Sequence, residues 1–108
     1  MIKKLYLVMS LFLATVFMPH AVLAESHLVG QLDKKFTTKK LTINVGDTVT
    51  FVNQDPFFHN VYSLSALKFF DLGSFPQGEA RSVVFDEPGT VVVECAIHPA
   101  MKMVIEIK

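Results

Sequence analysis

The sequence predicts an all-β fold, a sandwich or barrel of short strands, on three observations. Apolar and polar residues alternate at period two in several stretches, turn signals separate those stretches, and no helical period is sustained for three turns after residue 24. Leu41-Thr42-Ile43-Asn44-Val45 alternates as a half-buried strand should. Gly46-Asp47 is a turn signal, and Thr48-Val49-Thr50-Phe51-Val52-Asn53 alternates again, so the two stretches are expected to pair as a hairpin. Val61 to Leu64 reads as a short strand after the loop Gln54 to Phe58. Ser82 to Phe85 and Thr90 to Glu94 flank the turn Asp86-Glu87-Pro88-Gly89, and Lys102 to Ile107 closes the chain as a last strand. A further strand is expected within Leu28 to Phe36, and one turn of helix fits Ser65 to Phe70.

The first 24 residues read as a secretory signal peptide. Lys3 and Lys4 give a positive start, Leu5 to Met18 is apolar and ends at Pro19, and Val22-Leu23-Ala24 is a small-residue cleavage site. That apolar stretch falls short of the roughly 20 residues a spanning helix needs, which disfavours an uncleaved anchor. The mature chain, residues 25–108, is then one small domain without a membrane span, expected in the periplasm as a monomer. Losing Lys3 and Lys4 leaves 8 basic residues against 10 acidic ones. Such a balance provides no basic footprint for nucleic acid and no strong field to steer a charged partner.

Cys95 is the only cysteine, so no disulfide can form within the chain. A lone cysteine near a strand end is usually a small buried hydrophobe. In an exported protein, however, metal ligation is a good way to protect it. Cys95-Ala96-Ile97-His98-Pro99-Ala100-Met101 puts a thiolate, an imidazole and a thioether in one short segment. Soft sulfur with imidazole suits copper, and two His and one Cys in a trigonal plane with a long axial Met make a blue-copper electron-transfer site. The second imidazole must come from His27 or His59. His59 lies in the loop Asn53-Gln54-Asp55-Pro56-Phe57-Phe58-His59-Asn60, able to face Cys95 from one end of a sandwich. His27 would be third in the mature chain, where chains are usually mobile. Met103 competes with Met101 as the axial ligand, because alternation puts both on one face.

These motifs together resemble the cupredoxins, in particular the small amicyanin-like and plastocyanin-like members. The spacing Cys95-x2-His98-x2-Met101 resembles the short ligand loop of the amicyanin type, and Val45-Gly46-Asp47-Thr48-Val49-Thr50-Phe51, His59-Asn60-Val61 and Gly89-Thr90 match the same pattern. The resemblance covers about Phe36 to Lys108. It implies a Greek-key sandwich of about eight strands or slightly fewer, and one type 1 copper held by His59, Cys95, His98 and Met101. It also implies electron transfer without catalysis, from a redox donor to a redox acceptor that dock near the His98 edge. The same spacing favours Met101 over Met103. Leu64 to Phe75 departs from the pattern, so no particular partner carries over.

Pro56, Phe57, Phe58, Pro99 and Ala100 are candidates for an apolar docking patch, with core or loop packing the competing role for the two phenylalanines. Asn60 is a candidate to hydrogen-bond across to the Cys95 loop. Lys34-Lys35 and Lys39-Lys40 fit a solvated edge that discourages aggregation. Three other functions compete with electron carriage. A copper chaperone could use the same ligands, although the tight Cys95 loop opposes easy release. A copper oxidase or nitrite reductase needs further His clusters, and only His27 is left over. A plain binding module would carry an idle Cys95. Zinc binds similar ligands and competes for the site.

Overall fold

The computed structural model describes residues 23–108, so most of the expected leader lies outside the described residues. Nine strands form: β1 (Ser26–Leu32), β2 (Lys35–Phe36), β3 (Lys40–Ile43), β4 (Thr48–Asn53), β5 (His59–Ser63), β6 (Phe70–Phe75), β7 (Ala80–Val84), β8 (Gly89–Glu94) and β9 (Lys102–Ile107). They make two sheets, ordered β2-β1-β4-β7 and β3-β9-β8-β5-β6, and the chain crosses between them repeatedly. There is no helix among the described residues, and the result is the expected all-β sandwich.

Period-two alternation builds the core. β4 buries every second residue, Val49, Phe51 and Asn53, and β9 does the same with Met103, Ile105 and Ile107. These side chains meet Val29, Ile43, Val61, Phe75, Phe85, Val91 and Val93 between the sheets. Replacing a buried ring such as Phe51 by Ala would cost about 3–5 kcal/mol.

Four expectations are corrected. The Leu41 and Thr48 stretches do not form a hairpin. β3 pairs in parallel with β9, and β4 pairs in parallel with β1 in the other sheet. The turn between them spends its backbone bonds elsewhere: Val45 N–H reaches Lys108 O, and Gly46 N–H reaches Phe85 O at 2.7 Å with φ of 92°. Alternation is the same for a hairpin and for a crossover with both inner faces buried, so it could not separate them.

The Leu28 to Phe36 stretch is two strands, because Asp33 and Lys34 adopt φ of 54° and 58° and reverse the chain. Ser65 to Phe70 makes one bonded turn, Lys68 N–H to Ser65 O, and leads into β6, a strand that the weak alternation of Phe70 to Phe75 concealed. His27 lies in β1, held 2.9 Å from Asp47 Oδ2. The ladder with β4 anchors this segment.

Candidate metal centre

Antiparallel neighbours bring the start of one strand beside the end of the other. β5 begins at His59, β8 ends at Glu94, and the two pair through Tyr62 and Glu94. His59 and Cys95 therefore meet at one end of the sandwich, and both are fully buried. The segment after Cys95 is closed into a loop by two backbone bonds, Cys95 N–H to Met101 O at 3.3 Å and Met101 N–H to His98 O at 2.9 Å. That closure turns His98 back over Cys95.

Three donor atoms converge. Cys95 Sγ lies 3.7 Å from His59 Nδ1 and 3.9 Å from His98 Nδ1, and the two Nδ1 atoms are 3.1 Å apart. A triangle with these sides has a centre about 2.1 Å from each corner, close to ordinary metal–imidazole and metal–thiolate bond lengths. The donor set therefore fits one ion in its plane, and its sulfur and imidazole chemistry suits copper. Met101 and Met103 are both buried. Met101 shares backbone bonds with Cys95 and His98, whereas Met103 pairs with Val93 in the β8–β9 ladder.

A polar network holds the histidines. His59 Nε2 is 2.7 Å from Asp55 Oδ2, and both side chains are buried. The carboxylate accepts the Nε2 proton, which leaves the Nδ1 lone pair for a metal. Asp55 also accepts the N–H groups of Asp33 and Lys34 at 2.8 and 3.0 Å, which is why that turn tolerates its left-handed residues. Burial raises the Asp55 pKa, but the bonds from His59, Lys34 and Asp33 outweigh it and hold it below the ordinary carboxylate value. Asn53 Oδ1 takes Asp55 N–H, while its Nδ2 donates to Phe57 O and Phe75 O. On the other side, Asn60 Oδ1 accepts Ala96 N–H at 2.7 Å, the bond across to the Cys95 loop expected of it.

Phe57 packs against both imidazoles, its ring centre 5.2 Å from that of His59 and 5.3 Å from that of His98. Its place is thus in the wall of the site. Phe58, Pro56, Pro99, Ala100 and Ile97 are exposed, and His98 is partly buried. Burial, followed by the nearby His59 and Lys34, pushes the His98 pKa down, with Asp55 opposing.

Sequence reading missed Asp55 and Asn53. The available signal was an acidic residue four positions before His59 in a loop.

A two-sheet sandwich that gathers one thiolate and two imidazoles at one end defines the chain as a blue-copper protein, with one type 1 copper as its cofactor. It belongs to the family of copper binding proteins described as the plastocyanin/azurin family, which matches residues 24–108. The chain is similar to amicyanin from Paracoccus denitrificans, 33% identical over 96 residues that cover 80% of this chain and 70% of that protein. Among solved structures, a copper(I) amicyanin carrying one substitution matches with a TM-score of 0.72 and 27% identity, over 77% of this chain and 82% of that one. A Cu-containing nitrite reductase from Thermus scotoductus also matches, with a TM-score of 0.72 and 31% identity over 77% of this chain. The chain covers only 22% of that reductase.

Proposed function

We propose that this chain carries single electrons between a redox donor and a redox acceptor, using one type 1 copper that His59, Cys95, His98 and Met101 would hold. The supporting observation is the triangle of Sγ and two Nδ1 atoms, whose centre suits one ion. Copper, when bound, supplies the one-electron couple. The chain supplies rigidity: Cys95 and His59 sit at buried strand ends, Asp55 fixes the His59 ring, and Asn60 ties the Cys95 loop to β5. Such pre-set donors limit movement between oxidation states.

Electrons pass through the His98 edge, where exposed Pro56, Phe58, Ile97, Pro99 and Ala100 form the docking surface. We read the chain as a carrier rather than an enzyme, because His27 is the one histidine left for a second copper centre after the leader is removed. Residues 1–24 act as the cleaved leader, and the mature protein, 25–108, works as a monomer in the periplasm. No helix among the described residues is long and apolar enough to cross a membrane.

Copper(II) added to the purified mature protein tests this. An intense blue thiolate charge-transfer band with a reversible one-electron wave is expected, and Cys95→Ser should lose both. A colourless adduct, or a band that survives in Cys95→Ser, would refute the assignment.

A further inference from the structure

Asp47, at the turn before β4, collects three donors away from the copper end. Its Oδ1 accepts the Glu25 backbone N–H at 2.9 Å, while Oδ2 meets the Asn44 N–H and His27 Nε2, each at 2.9 Å. Asp47 is buried, whereas Glu25 and Ser26 are exposed and His27 partly so. The Glu25 nitrogen and the His27 ring thus converge on one carboxylate. Its hold on His27 uses Nε2 and leaves Nδ1 available.

Cleavage after Ala24 would turn the Glu25 nitrogen into a primary amine and make His27 the third residue of the chain. We propose that this new terminus, Glu25-Ser26-His27, is a second copper(II) site, formed by the α-amine, the amide nitrogens of Ser26 and His27, and His27 Nδ1. The proposal rests on the leader boundary given above. Consecutive nitrogens at this spacing close fused chelate rings in one plane, and a square-planar nitrogen set suits copper(II) or nickel(II).

On binding, the ammonium proton and both amide protons leave to solvent and no electron moves, so affinity rises with pH. Chelation disturbs just the first rungs of the β1–β4 ladder, Ser26 opposite Thr48 and His27 opposite Val49. Asp47 continues to accept from Nε2 and orients the imidazole, as a carboxylate does behind a metal-bound histidine. The site would hold copper(II) without cycling it, unlike the sulfur-ligated centre.

The test adds one further equivalent of copper(II) to the copper-loaded mature protein, its start at Glu25 verified by mass. Visible absorption and electron paramagnetic resonance should show a new four-nitrogen signal. His27→Ala should lose that signal, as should a chain that retains Ala24 ahead of Glu25, with the blue band unchanged in every case. The extended chain keeps the Glu25, His27 and Asp47 side chains together but makes His27 fourth. Equally tight binding there would overturn the terminal chelate in favour of a side-chain cluster, and no four-nitrogen signal in the Glu25 chain would overturn it outright. The mass of protein exported by cells is a separate measurement: a start other than Glu25 refutes the leader boundary, and the site in the cell with it.

Discussion

Asp55 Oδ2 lies 2.7 Å from His59 Nε2, with both side chains out of solvent. A carboxylate behind a metal-bound imidazole raises the basicity of the ring and fixes its orientation. Asp55→Asn keeps the shape but removes the charge. Copper(II) affinity should fall about 10–100-fold. Copper(II) loses more than copper(I), so the potential rises, by about 59 mV for each tenfold selective loss. Voltammetry together with thermal melting checks this. A lower melting temperature with an unmoved potential would limit Asp55 to pinning the Asp33-Lys34 turn.

The axial role is tested by a pair of variants. Met101→Leu should retain a blue site at a higher potential, because a weak thioether tunes the couple more than it holds the metal. Met103→Leu should leave the potential alone and cost less than about 1.5 kcal/mol of stability, as volume-conserving swaps do. A shift in Met103→Leu alone would transfer the role to Met103.

The reduced protein should take up a proton at His98. Burial, His59 and Lys34 all push this ring down, so it stays neutral through the ordinary histidine range near ~6.5 and charges below it. Protonation removes an imidazole from the metal and pulls the couple towards the reduced state. The potential therefore climbs as pH falls beneath that range. An NMR titration of the reduced form should show His98 moving below that range. A silent His98 would refute the assignment of the exposed ligand.

Asp47 sets an acid limit. Bonds from Glu25 N–H, His27 and Asn44 N–H lower its pKa to about 2. An unfolded aspartate titrates near ~3.9. The folded value is depressed, so the stability Asp47 contributes is complete above that figure and is lost as pH falls through about 2. Melting temperatures should drop across this window. Asp47→Asn should melt lower at neutral pH and show a flatter acid limb, and an unchanged acid limb would refute the role.

Much of the centre was legible in the residues. Cys95, His98 and Met101 are close in sequence, and their softness selects a metal whatever the fold. His59 was legible through elimination and its loop. Asp55 was not, because its effect depends on facing His59 Nε2 and two backbone N–H groups from the β1–β2 turn, a meeting that only long-range packing creates. The place of His27 was hidden for the same reason, since its anchor, Asp47, comes from a turn 20 residues away.

By itself, then, the sequence determined the all-β class, most of the strands and the donor chemistry, because alternation and ligand softness are local properties. Only the tertiary structure decided which strands share a sheet, that β3 and β4 part company, and which buried carboxylate stands behind His59. Those outcomes depend on backbone bonds such as Gly46 N–H to Phe85 O and Val45 N–H to Lys108 O, between residues far apart in the chain. Period-two patterning names the face a side chain turns inward but leaves open which neighbour it will meet there.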